Sequence, residues 1–172
     1  MADASNNRFL GKFRGRVVDN ADPLQIGRIT AQVPDVLGDV ASTWALPCLP
    51  FTGRGAGQYV VPQVGAGVWI EFEQGDPSFP IWTGCWYGDR SELPPDALGE
   101  RQPVVIRTPG DHKLLMSDVP GGEGILLRAA SGAYVQIDEK GVTVGNGKGA
   151  SVELVGDEVN INQGRLIVPK RQ

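Results

Sequence analysis

Residues 133–170 read AYVQIDEKGVTVGNGKGASVELVGDEVNINQGRLIVPK. Apolar residues come in very short runs, each cut off by a cluster of Gly, Asn or Asp. No run is long enough for a helix, and the alternation inside each, as in Val142, Thr143 and Val144, is that of a strand. The pattern begins earlier in the chain. Its apolar cores are VVI at 104, LLM at 114, ILL at 125, YVQI at 134, VTV at 142, VEL at 152, VNI at 159 and LIV at 166, recurring roughly every seven to eleven residues. Short recurring strands with glycine corners are the mark of a solenoid or β-prism.

Each triplet offers one or two inward side chains. Alternation predicts that Val135, Ile137, Val142, Val144, Val152, Leu154, Val159, Ile161, Leu166 and Val168 share the inward face. Full burial of one such side chain is worth roughly 1.5–3 kcal/mol. Ordering a residue costs about 1–2 kcal/mol in backbone entropy alone. A lone ladder of about seventy residues therefore barely breaks even, and its edges stay open. Wrapping identical copies around an axis would bury each inward face and pair the edges, so the segment calls for an oligomer.

The remaining composition is that of a turn-rich all-β chain. Of 172 residues, 24 are Gly and 13 are Pro, and the 41% that are apolar suit one core better than two. A formal net charge of −4 with no basic run argues against a nucleic-acid partner. Residues 1–7 are polar and without an apolar core, so no signal peptide is expected, and no apolar stretch approaches a membrane span. Cys48 and Cys85 make neither a disulfide framework nor a metal motif; two buried thiols are the expectation, with a bridge as the alternative.

Five strands are expected within residues 8–88. Phe9 to Val18 is a long β-like run with Gly11 and Gly15 as bend or bulge positions, and Asn20 to Pro23 is a turn. Ile26 to Val33 alternates and is ended by Pro34. Asp35 to Val40 suits one helical turn, and Thr43 to Cys48 is a strand between prolines. GRGAG at 53–57 reads as a flexible loop. Val68, Ile70 and Phe72 share one face of the next strand, opposite Trp69, Glu71 and Glu73; GDPSFP turns the chain into IWTGCW. Five strands with a short element between the third and fourth fit a small Greek-key barrel of the oligonucleotide/oligosaccharide-binding (OB) type. Residues 89–103 are charged and Pro-rich, a linker or surface arm; residues 104–172 carry the repeats.

No catalytic constellation is visible. His112 is the only histidine, which excludes multi-His zinc sites and weakens any Ser-His or Cys-His reading. Glu71, Glu73 and Asp76 could mimic a glycosidase acid pair, but strand alternation puts both glutamates on a solvated outer face. GRGAG and GNGKGAS lack phosphate-loop spacing, and GGEG at 121–124 lacks the Asp of calcium β-rolls. Trp44, Trp69, Trp82 and Trp86 could stack nucleobases, although without a basic groove packing is the better reading. No cofactor, metal or enzymatic activity is expected.

Three stretches carry a family resemblance: VVDNADP in the first hairpin, PQVGAGVWIEFE entering the fourth strand, and GDPSFPIWTGCW closing the barrel. Together residues 8–88 resemble the N-terminal barrel of phage baseplate assembly protein V, shared with the central spikes of type VI secretion and related contractile injection systems. The resemblance implies a homotrimer whose barrels surround a threefold axis, with residues 104–172 of three chains forming a β-helix needle. It implies a structural spike that sits in a virion tail baseplate or equivalent injection particle, contacts other baseplate components, plugs the tube and transiently pierces the target envelope on contraction. The chain carries no lysozyme-like segment between barrel and repeats, no hub domain ahead of the barrel and no C-terminal His-x-His. A separate hub protein and a separate PAAR-like tip protein are therefore implied, with the chain made in the cytoplasm. A trimeric OB-fold module binding oligosaccharide or single-stranded nucleic acid is the alternative.

Overall fold

The computed structural model describes residues 8–98 and 101–169. The chain divides into two compact units, Met1–Glu92 and Leu93–Gln172. The first contains β1 (Phe13–Asp19), β2 (Thr30–Gln32), one helical turn α1 (Pro34–Leu37), β3 (Leu46–Pro47), β4 (Thr52–Gly53), β5 (Ala56–Gly57), β6 (Gly67–Phe72) and β7 (Pro80–Trp86). Five strands form one sheet in the order β2-β1-β6-β7-β3, antiparallel except where β3 runs parallel to β7. Its two edges meet at Ile29 and Ala45, which exchange backbone hydrogen bonds of 3.2 and 2.7 Å. The result is an OB-like, partly closed barrel.

Period-two alternation fills this barrel. Ile29, Ala31 and Val33 point inward from β2 and its flanks, and Val68, Ile70 and Phe72 do so from β6; all are buried. Val17, Ala45 and Trp82 complete the core. The Trp82 indole N–H donates to the Gly27 carbonyl at 3.0 Å, so its polar edge is satisfied inside. Phe9, Phe13 and Phe72 stack at one end, with ring centroids 5.7–6.3 Å apart.

Several local expectations shift. β1 starts at Phe13 rather than Phe9, and Gly11 is a bend with φ +100°. Gly15 is not a bulge: its pairing with Val68 is regular, and it is a close-approach position, where a Cβ would lie 3.1 Å from Ile70 and 3.2 Å from the Gln32 carbonyl. The bulges fall instead at Val18 and around Gly84. The strand expected over Ile26–Val33 shortens to β2, because the loop around Asp22 claims the backbone of Ile26 and Arg28. GRGAG is no loose loop but the tip of the β4–β5 hairpin. Cys48 and Cys85 are exposed, free thiols, against the expectation of burial: Cys48 follows the short β3, and Cys85 lies just past the β7 bulge.

The second unit is a single antiparallel meander of eight strands: β8 (Val104–Arg107), β9 (Lys113–Met116), β10 (Ile125–Arg128), β11 (Tyr134–Asp138), β12 (Gly141–Gly145), β13 (Ser151–Val155), β14 (Glu158–Ile161) and β15 (Leu166–Pro169). Every apolar triplet of the sequence is one of these strands. Turn chemistry separates them. Asn146 accepts the backbone N–H of Lys148 at 2.8 Å and of Ala150 at 3.1 Å, and Asp138 accepts that of Lys140 at 2.8 Å. At Gly141 (φ +140°) a Cβ would be driven into the Leu154 carbonyl.

One carboxylate organises the first unit's opening loop. Asp22 is 9% exposed and accepts the backbone N–H groups of Leu24, Ile26 and Arg28 at 3.0, 2.9 and 3.2 Å. The Arg28 guanidinium pairs with it at 2.6 and 2.9 Å and lies 5.4 Å from the Trp44 ring. The Arg28 pairing above all, helped by the backbone donors, holds the Asp22 carboxyl far below the usual carboxylate range against the opposing effect of burial. Its stabilising contribution is thus complete above the unfolded carboxyl's pKa of about 3.9 and is lost as pH falls toward the depressed folded value. We expect Asp22→Asn to lower the barrel's melting midpoint by several degrees at neutral pH. The gap from the unsubstituted chain should narrow on acidification to about pH 3, as the unfolded carboxyl protonates. Thermal melts at both pH values check this, and a gap independent of pH would contradict it.

Candidate functional site

The register of the meander places side chains in rows. One face carries Val104, Met116, Ile125, Ile137, Val142, Leu154 and Val159 side by side, strand after strand. The adjacent row on the same face is Ile106, Leu114, Leu127, Val135, Val144, Val152, Ile161 and Leu166. Both rows are apolar throughout. Seven steps of about 4.8 Å make the stripe roughly 34 Å long. By register, nine of the ten residues expected to share a face lie in this stripe. Within one chain, however, Val135, Ile137, Val144, Val152, Leu154 and Leu166 are exposed, and Val142, Val159 and Ile161 are half-buried. The side chain of Val168 lies outside the described residues.

The stripe also takes in Val104, Ile106, Leu114, Met116, Ile125 and Leu127, which the sequence reading did not single out. Ile106 is 63% exposed and Leu127 56%. Their signal was the same alternation inside VVI, LLM and ILL. What hid them was that no single triplet says which of its faces joins its neighbours'.

The opposite face differs along its length. Its central row runs Val105, Leu115, Leu126, Gln136, Thr143, Glu153 and Asn160. Leu115 and Leu126 are the only buried large apolar side chains among the described residues of this unit. Near them the turn Pro95–Ala97 is clipped to the sheet by Asp96, which accepts from Lys113 at 2.7 Å and Arg107 at 3.0 Å. These partners, Lys113 foremost, hold the Asp96 carboxyl below its ordinary pKa. Beyond β10 the described residues of this central row become polar. The sheet therefore has one face suited to water and one that a lone chain leaves bare, and a contiguous bare stripe marks an interaction surface.

The other candidates do not assemble into a site. Glu71 pairs with Lys12 at 2.9 Å, and Glu73 leaves the strand to open the turn Glu73–Gly75. His112 is exposed, its Nδ1 accepting the Ala130 N–H at 3.4 Å. The four tryptophans separate: Trp82 is core, Trp44 stacks on Arg28, and only Trp69 and Trp86 adjoin, at 6.4 Å, with Arg14 over both rings. Cys48 and Cys85 line one shallow apolar pocket, and desolvation pushes the Cys85 thiol up. Among the described residues no three His, Cys, Asp or Glu side chains are grouped to hold a metal. Among the described residues no helix is long and apolar enough to cross a membrane.

Residues 13–87 match the type VI secretion system/phage-baseplate injector OB domain, and residues 103–167 match the phage baseplate V C-terminal trimerisation domain. The chain is similar to the type VI secretion system spike protein VgrG5 of Pseudomonas aeruginosa, 30% identical over 115 residues, covering 61% of this chain and 15% of that protein. It is 29% identical to VgrG4b of the same organism over 97 residues, covering 53% and 12%, and 32% identical to VgrG3 of Vibrio cholerae over 94 residues, covering 52% and 9%. The matches thus span a small part of these relatives' length.

The bare stripe yields a sharp test. Val144 is 50% exposed in a single chain, so Val144→Lys would be a benign surface change there. In an assembly that buries the stripe it places unpaired charges in a dry interior, each costing several kcal/mol after relaxation. We expect Val144→Lys to abolish assembly and the protease resistance of residues 104–172 while leaving the barrel folded. Thr143→Lys, on the polar face, should change little. Size-exclusion chromatography with limited proteolysis reads both, and an assembled Val144→Lys chain would refute burial of this face.

Proposed function

Because the chain belongs to the phage baseplate V family, with an injector OB domain followed by a trimerisation domain, we propose that it is the structural central spike of a contractile phage tail or phage-tail-like injection particle. Residues 8–88 are the barrel, 89–103 the connecting arm and 104–172 the needle. The observation that carries this reading is the two-row apolar stripe, unbroken across all eight strands. The trimerisation domain supports three copies, whose stripes would meet on a common axis as a β-prism.

The function of such a prism is mechanical. Every strand but the outermost pair is hydrogen-bonded on both sides, so axial force is shared along the ladder and no single turn gives way. The dry interior supplies cohesion without any bound group, and the polar outer face meets solvent. In this reading the spike plugs the tube and pierces the target envelope when the sheath contracts, with a separate hub, a separate tip protein and the baseplate as partners. It needs no cofactor and carries out no hydrolysis.

Two measurements test it. Light scattering on the purified chain should give about 55 kDa, three times the chain mass of 18.3 kDa; a monomer at micromolar concentration would remove the basis of the reading. Purified cell walls should not be cleared by the protein at any concentration tried, and robust clearing would move it to a different functional class.

A further inference from the structure

The eight-stranded meander has two lateral edges made of its turns. Turns at 108–112, 129–133, 146–150 and 162–165 lie along one, and those at 117–124, 139–140 and 156–157 along the other. Near the start of the sheet the charges are matched within the chain: Arg107 and Lys113 pair with Asp96, Arg107 also with Asp111, and Arg128 with Glu123. From β11 to β15 they are not. The first edge there carries Lys148 and Arg165, a net of +2. At the second, among the described residues, Asp138, Glu139, Asp157 and Glu158 stand against Lys140, a net of −4 + 1 = −3. None of these residues has an ion-pair partner within the chain among the described residues. Lys148, Arg165, Asp157 and Glu158 are all exposed.

We propose that these two edges are the lateral contact between copies of this chain: the basic turns of one copy seat between the acidic turns of the next. The inference rests on the trimer reading above and adds to it the surface that closes the ring. Three sheets with their apolar faces inward meet at corners, and rotational symmetry brings one copy's first edge to its neighbour's second edge at every corner. The meander then interleaves them. Basic turns join β12 to β13 and β14 to β15, while the β13–β14 turn is acidic through Asp157 and Glu158 and the β11–β12 turn through Asp138 and Glu139 against Lys140. Each basic turn thus falls about one strand step, roughly 4.8 Å, from an acidic turn of the neighbouring copy. Opposite charge at that spacing specifies partner and height, where a uniformly apolar stripe would tolerate slippage by a strand.

The test uses charge reversal in the full chain, with sedimentation equilibrium at low salt as readout. Lys148→Glu with Arg165→Glu, and separately Asp157→Lys with Glu158→Lys, should each raise the concentration of half-dissociation by about tenfold, since exposed pairs are individually weak but recur at every corner. High salt should erase most of that difference. The chain carrying all four reversals restores opposite charge at each corner and should return to within about threefold of the unsubstituted protein. If neither pair weakens assembly, or if the fourfold variant is weaker than both, the edge contact is wrong while the trimer stands. If the unsubstituted chain does not assemble, the trimer reading itself fails and takes this contact with it.

Discussion

Burial of one apolar face is the constraint on which the second half of this molecule depends. Fifteen described side chains in two rows cross the meander from Val104 to Leu166, and in the single chain each of them is exposed or half-buried. Only Leu115 and Leu126 are buried among its described large apolar side chains. Two buried leucines cannot offset the entropy of ordering such a sheet. This unit matches a trimerisation domain, and further copies of the chain would supply the surface that the bare face calls for.

The barrel is the opposite case. Nine buried side chains form its core, a bridge between Ile29 and Ala45 draws its edges together, and Asp22 ties down the loop that leads into β2. Its stability is internal and insensitive to pH across the neutral range as far as Asp22 is concerned, because that carboxyl stays ionised there in both states. A self-sufficient unit joined to one that needs partners is a sound division for an assembled spike.

The two faces of the meander divide the work of the sheet between them. The apolar stripe is uniform and would give an assembly cohesion without direction. The outward row through Gln136, Thr143, Glu153 and Asn160 is polar, and the turns at either side differ in charge. Uniform apolar packing is forgiving of register, so positional information has to come from the polar periphery. The Asp96 clip on Arg107 and Lys113 does this locally, fixing the arm before β8 to the one region of the outer face that is apolar.

Much was legible in the residues alone. The eight strands of the second unit, their alternation and the shared face of Val135, Ile137, Val142, Val144, Val152, Leu154, Val159, Ile161 and Leu166 follow from local signals: a period of two and turn residues between runs. So do the inward Val68, Ile70 and Phe72. What pairing across the fold decides was not legible. The bulges at Val18 and Gly84, the tight fit at Gly15, the exposure of Cys48 and Cys85 and the junction of β3 with β7 each depend on a partner strand distant in sequence. Asp22 looked like one more turn residue until the fold brought Arg28 and the loop's N–H groups onto it. The sequence determines which residues alternate, because that is a property of neighbours. Only the tertiary structure decides which alternating faces line up into one surface, because register is set between strands.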